Sequence, residues 1–189
     1  GIISMLKRKG GSGSSTIAAH LAVAYSGGAL LIDADPQQSL VRWAAGSDSG
    51  RLANIVRPAS GLQDKEFRQV VADAEAEAGT VIIDSPPGLD GAALTAAHLA
   101  DLIIIPCRPS VLDTDQAGDA LRAAMMVKQG DATVAFVPSA NLPHTKVGRS
   151  LPEDLQGLGQ DVGADVLPSI THRVAIAAGQ LDGSVIQET

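Results

Sequence analysis

The sequence predicts an α/β fold: a doubly wound, mostly parallel sheet flanked by helices. Three observations predict it. Short apolar runs alternate with longer stretches of helical spacing from end to end. Those runs are near-continuously apolar, as in strands covered on both faces. Polar, turn-rich segments follow directly after four of the runs, and open parallel sheets bind their ligands at the carboxyl ends of their strands. No repeat, low-complexity segment or linker interrupts the pattern. The 189 residues therefore read as a single domain, 1–189, long enough for a substantial core.

The first run, Ile2–Leu6, leads into Lys9-Gly10-Gly11-Ser12-Gly13-Ser14-Ser15-Thr16 and then a helical stretch, Ile17–Tyr25. A Gly-rich turn between strand and helix aims backbone N–H groups at one spot, where the helix dipole also favours negative charge. That is a phosphate cradle. In the P-loop pattern a lysine precedes the Mg²⁺-type hydroxyl; here Ser14 holds that position and Lys9 stands at the front of the loop. The second run, Ala29–Asp33, opens onto Asp33-Ala34-Asp35-Pro36-Gln37. Gly46–Gly50 reads as a surface loop and Asn54–Arg57 as the third strand. A helical pattern runs from Leu62 through Phe67, Val70 and Val71 to Ala74. The fourth run, Thr80–Asp84, is followed by Ser85-Pro86-Pro87-Gly88. The fifth, Leu102–Cys107, merges into Pro106-Cys107-Arg108-Pro109-Ser110 and a helix over Val111–Gln129. Thr133–Pro138 and Ala164–Leu167 complete the strands.

Composition narrows the classes. Apolar residues make up 45%, but Tyr25, Trp43, Phe67 and Phe136 are the aromatic ones, so Ala, Leu, Ile and Val must build the core. A net charge of −7 argues against strong generic nucleic-acid binding, while leaving room for a local basic patch. The single cysteine, Cys107, lies inside an apolar run and reads as a buried structural thiol; one cysteine excludes an intrachain disulfide or a multi-cysteine iron–sulfur cage. No segment approaches the ~18–20 apolar residues of a membrane span. With the loop beginning almost at once and no secretory signal before it, the expected location is cytoplasmic.

In their order along the chain these segments resemble the ParA/MinD family of deviant Walker A ATPases, and most of all its short partition and cargo-positioning members. The matching pieces are the loop at Lys9–Thr16, Leu31-Ile32-Asp33-Ala34-Asp35-Pro36-Gln37, Ile82-Ile83-Asp84 with Pro86-Pro87-Gly88, and Ile105-Pro106 with Pro109-Ser110. Pro143-His144-Thr145-Lys146-Val147-Gly148-Arg149 is a weaker match. The resemblance implies a deviant P-loop NTPase that binds ATP and Mg²⁺, forms a homodimer with ATP and hydrolyses it. Such a protein positions a plasmid, chromosome or large cytosolic assembly on nonspecific nucleoid DNA, with a small partner protein stimulating hydrolysis.

Residue by residue, the resemblance assigns Gly10, Gly11, Ser12, Gly13, Ser14, Ser15, Thr16, Pro86 and Gly88 to the nucleotide. Ser15 and Asp84 are its Mg²⁺ residues. Asp33 attends the attacking water, and Asp35 joins the metal or only opens the turn at Pro36. Lys9 is its hallmark lysine, reaching across the dimer to the partner's phosphates. Lys146, Arg149 and Arg173 fall where short relatives carry DNA-contacting basic residues, and adenine contacts are expected near Val137–Leu142.

Two features depart from the pattern. Ser14 removes the usual phosphate-binding cation, so hydrolysis is expected to be weak or trapped, and restoring lysine there is expected to tighten ATP binding. The alternative reading is a nucleotide-dependent switch or scaffold without significant turnover. The end of the sequence, Val185–Thr189, lacks a basic amphipathic membrane tail, so no membrane partner is expected, and a last helix of the family is expected to be missing.

Overall fold

The computed structural model describes residues 1–46 and 50–173. Most of the Gly46–Gly50 loop and the tail from residue 174, including Val185–Thr189, lie outside the described residues.

Seven strands form one parallel sheet: β1 (Ile2–Met5), β2 (Leu30–Asp33), β3 (Val56–Pro58), β4 (Val81–Asp84), β5 (Leu102–Cys107), β6 (Thr133–Pro138) and β7 (Asp165–Val166). Their spatial order is β3-β2-β4-β1-β5-β6-β7, every neighbouring pair parallel. The helices among the described residues are α1 (Ser14–Ala24), α2 (Ser39–Ala45), α3 (Arg51–Ile55), α4 (Asp64–Ala78), α5 (Gly91–Leu99), α6 (Val111–Val127) and α7 (Lys146–Gly159). The predicted parallel, doubly wound α/β fold is the observed one.

Side chains alternate across the strands and feed two cores. Leu30, Ile32, Val81, Ile83, Ile103 and Ile105 pack on one face with Phe67 and Val71 of α4, the alanines of α5 and α6, and Leu151 and Leu155 of α7. Met5, Leu31, Ile82 and Ile104 pack on the other with Ile17 and Val23 of α1, Leu40 and Trp43 of α2 and Leu52 of α3. Burial on both faces explains why the strands read as unbroken apolar runs. The third strand is displaced from its predicted span: Asn54 and Ile55 are the last residues of α3, whose Leu52 is fully buried, and pairing with β2 begins only at Val56.

Helix starts follow their capping chemistry. Ser110 Oγ accepts from Asp113 N at the head of α6, and Thr145 Oγ1 accepts from Gly148 N at the head of α7. Inside α7, Pro152 has no N–H to offer the Gly148 carbonyl; Asn141 Nδ2 donates to that oxygen instead, at 3.1 Å. The segment Pro143–Arg149 is thus first of all a helix start packed tightly on the loop before it. A Cβ at Gly148 would lie 2.1 Å from the Leu142 carbonyl oxygen, whereas one at Gly157 on the exposed side meets nothing within 4 Å. Gly148→Ala should cost about 2–3 kcal/mol by overpacking against backbone, and Gly157→Ala should gain roughly 0.5–1 kcal/mol from helix propensity. Urea denaturation of both variants checks this opposition.

Candidate functional site

The carboxyl ends of β1, β2 and β4 converge where α1 begins. Gly11 and Gly13 have φ of 84° and 92°, the left-handed conformations that let this loop turn back on itself. Unlike α6 and α7, α1 has no side-chain cap at its N-terminus. Its first-turn amides lie at the helix N-terminus, the end at which helices bind anions. They face a cavity of about 570 Å³ lined by Gly10, Gly11, Gly13, Ser14, Ser15 and Thr16 of the loop. Lys7, Asp35, Gln37, Ser39, Arg42, Trp43 and Arg108 complete the wall.

Lys7 dominates the cavity floor. Its side chain is 3% exposed, and its ammonium donates to Asp84 Oδ1 and Ser14 Oγ, both at 2.8 Å, and pairs with Asp35 Oδ2 at 3.4 Å. Asp84 is fully buried, and its second oxygen accepts from the Ser15 hydroxyl. Ser15, Asp84 and Asp35 present hard oxygen donors of the kind Mg²⁺ takes. Among the described residues no group of three or more His, Cys, Asp or Glu side chains could hold a metal ion. An Mg²⁺ ion here would depend on phosphate oxygens and water to fill its shell, which is its ordinary habit.

The two aspartates of the second segment do different work. Asp33 is fully buried; Oδ2 accepts from the Leu40 and Val41 amides at 3.0 Å each, and Oδ1 accepts from Asp35 N at 3.2 Å. It caps α2 from behind and does not line the cavity. The Asp33 oxygens, expected to attend the attacking water, are here committed to backbone amides. Asp35, two residues on, lines the cavity, accepts from Gln37 N at 2.9 Å through Oδ1 and meets Lys7 through Oδ2. Burial pushes the Asp33 carboxyl above its usual range, opposed first by the Val41 amide and then reinforced by the charge of Asp84.

With the fold and the site described, the kinship of the chain can be stated. It is 33% identical over 115 residues to the maintenance of carboxysome distribution protein A of Gloeobacter kilaueensis, covering 59% of this chain and 51% of that protein. It is 27% identical over 124 residues to protein ParA of Rhizobium radiobacter, covering 64% and 54%. The ParA family ATPase of Chlorobium tepidum superposes with a TM-score of 0.76 at 15% identity, over 96% of this chain and 89% of that one. In sequence and fold the chain is similar to ParA/MinD family proteins. No family model matches it, and it spans about half the length of the curated relatives it matches.

Other residues singled out by the ParA/MinD resemblance are more dispersed. Lys9 lies outside the cavity, its side chain 43% exposed and paired with Asp113 Oδ1 at 3.0 Å. Ser12 is buried beneath the loop, its carbonyl accepting from Ser139 Oγ at 2.6 Å. Pro86 and Gly88 do not line the cavity; Gly88 N donates to the Lys7 carbonyl at 3.1 Å and so braces the strand end that carries Lys7. Lys146 and Arg149 are exposed on the first turn of α7. Arg173 lines a smaller cavity of about 160 Å³ with Ser139, Ala140, Ile170, Thr171 and His172, which shares Gly13, Thr16 and Arg108 with the larger one. The expected adenine region, Val137–Leu142, thus contributes Ser139 and Ala140 beside the loop, while Asn141 serves α7. Cys107 is buried and its thiol is pushed up to about 12, chiefly by burial, as expected of a structural residue.

Sequence reading missed Lys7, Arg42 and Arg108 as site residues. Lys7 stands in the basic run Lys7-Arg8-Lys9, yet the strand parity that buries Met5 carries Lys7 inward too.

Asp33→Ala should lower stability by roughly 1–3 kcal/mol through unpaired amides at the head of α2. A folded-state value above the ordinary one means the native protein holds this proton more tightly than the unfolded chain does. The contribution is complete below the ordinary carboxylate value and is lost as pH rises through the folded one. The stability of wild type relative to Asp33→Asn should therefore fall with rising pH across that interval, as followed by denaturation at stepped pH.

Proposed function

We propose that this chain is an ATP-binding ATPase that dimerises with ATP and positions a large cargo, a plasmid, chromosome or cytosolic assembly, on nucleoid DNA. The observation that carries the reading is the α1 N-terminus, without a side-chain cap, opening into a cavity lined by Lys7, Asp35 and Ser15, the last bonded to the buried Asp84. The names of its relatives, a carboxysome-distribution protein and a ParA, point the same way.

In this reading the loop amides and Thr16 hold the phosphates, while Ser139, Ala140 and Arg173 border the nucleoside. Ser15 and Asp84 would hold Mg²⁺, which supplies charge neutralisation on the phosphates when bound. Asp35 is the carboxylate among the cavity-lining residues, and it orients the attacking water in place of Asp33. Lys9, outside its own cavity, extends to phosphates held by a facing subunit, which couples nucleotide to dimerisation. Val111 and Leu112, 75% and 60% exposed beside the Lys9–Asp113 pair, give that contact an apolar rim.

DNA binding follows from the dimer. A chain of net charge −7 attracts DNA poorly alone, but two copies of the Lys146–Arg149 patch on one surface double the phosphate contacts. Each neutralised phosphate adds about 0.9 to the salt slope. A small adaptor that accelerates hydrolysis would end the cycle and release the dimer. The protein then works in the cytoplasm in association with the nucleoid. Among the described residues no helix is long and apolar enough to cross a membrane.

Sedimentation with ATP should show a dimer for wild type and a monomer for Lys9→Ala. DNA binding should appear only with ATP and weaken steeply between two salt concentrations. A monomer in both proteins would remove the role of Lys9, and DNA binding indifferent to ATP and salt would remove the nucleoid reading.

A further inference from the structure

The loop lacks its lysine, yet an ammonium is present at the place that lysine would serve. We propose that Lys7, reaching in from the end of the first strand, is the phosphate-binding cation of this site, a relocation that rests on the phosphate-site reading above. Lysine is almost never fully buried without a partner. Lys7 is 3% exposed and lines the cavity together with the loop.

The contacts of Lys7 match that task. An ammonium carries three donors and no acceptor. One donor is satisfied by Asp84 Oδ1 and a second by Ser14 Oγ, each at 2.8 Å. The remaining partner, Asp35 Oδ2, is 3.4 Å away, long for a hydrogen bond. That weakly held donor is the one a phosphate oxygen at the head of α1 would take. The flexible four-carbon stem allows the shift without moving backbone.

Ser14 then acquires a positive reason. A hydroxyl at position 14 accepts from Lys7, whereas a lysine there would bring a second ammonium against the same Asp84. Lys7 and Ser14 are a matched pair, the cation moved from loop to strand and the acceptor left in the loop. This reverses the expectation that lysine at position 14 improves binding: with Lys7 in place it gains nothing.

The test compares the binding of ATP, ADP and AMP to wild type, Lys7→Gln, Ser14→Lys and the Lys7→Gln/Ser14→Lys double variant by calorimetry, with thermal melting alongside. Lys7→Gln should lose between about tenfold and a hundredfold in ATP affinity, the range of one charged hydrogen bond, and keep its AMP affinity. Ser14→Lys should bind ATP no better than wild type, and the double variant should recover to within a few-fold of it. A Lys7 that serves only as counter-ion to buried carboxylates would instead lower melting and affect all three nucleotides alike, and that overturns the proposal. Tighter ATP binding by Ser14→Lys overturns it too. Should Lys7→Gln fail to fold, the recovery of the double variant set against the absence of gain in Ser14→Lys decides. Gly13→Val, which strains a residue at φ 92°, guards the underlying reading. ATP binding that Gly13→Val leaves intact, or none by wild type, refutes the phosphate site itself and not the choice of cation.

Discussion

Buried negative charge at the carboxyl edge of the sheet is the constraint around which the rest of this molecule is arranged. Asp33 and Asp84 are register partners on neighbouring strands, both fully buried, and Asp35 follows two residues on. Carboxylates this close cannot remain ionised in a dry interior without compensation. Two devices provide it. The oxygens of Asp33 are hydrogen-bonded by three backbone amides at the head of α2 and the turn before it, which offsets part of its burial. Asp84 and Asp35 are neutralised by the ammonium of Lys7.

The sheet order makes this possible. Strand β1 lies between β4 and β5, so the loop that follows β1 rises beside the end of β4 and brings Ser15 onto Asp84. Strand β2 on the far side of β4 supplies the two remaining aspartates. Strand parity divides the labour: residues that continue the Met5, Leu31 and Ile82 face point to the side where α1 and α2 pack, and Lys7, Asp33 and Asp84 all belong to that series. The same geometry leaves Lys9 on the surface beside α6, outside the cavity and paired with Asp113.

Much of this was legible in the sequence, for physical reasons. Near-continuous apolar runs at β4, β5 and β6 permit little besides covered parallel strands, and the Gly-rich loop announced its helix directly. What escaped was side-chain direction. Asp33 and Asp35 are indistinguishable as letters, and only the backward turn of α2 onto β2 shows that one caps a helix while the other borders the cavity. Lys7 escaped because it stands in a run of three basic residues, although the parity of Met5 could have marked it as inward. The short helices α2 and α3 carried too few turns for their period to show, and α3 took Asn54 from the strand predicted there. Asn141, inside the span where adenine contacts were expected, donates to the carbonyl that Pro152 leaves unpaired.

A phosphate site whose cation comes from the strand and not from the loop changes what the missing loop lysine means. It need not signal a disabled nucleotide switch, since positive charge is still delivered to the head of α1. The carboxylates that hold Lys7 in the meantime also set how readily it is released, which ties the resting charge cluster to ligand entry. The most direct measurement is a crystal structure of the chain with Mg²⁺ and a non-hydrolysable ATP analogue. The account predicts phosphate oxygens on the amides of Gly11–Thr16 with Lys7 Nζ within hydrogen-bond distance of one of them. An analogue bound elsewhere, or phosphates in the loop with Lys7 still confined to Asp84 and Asp35, would contradict it.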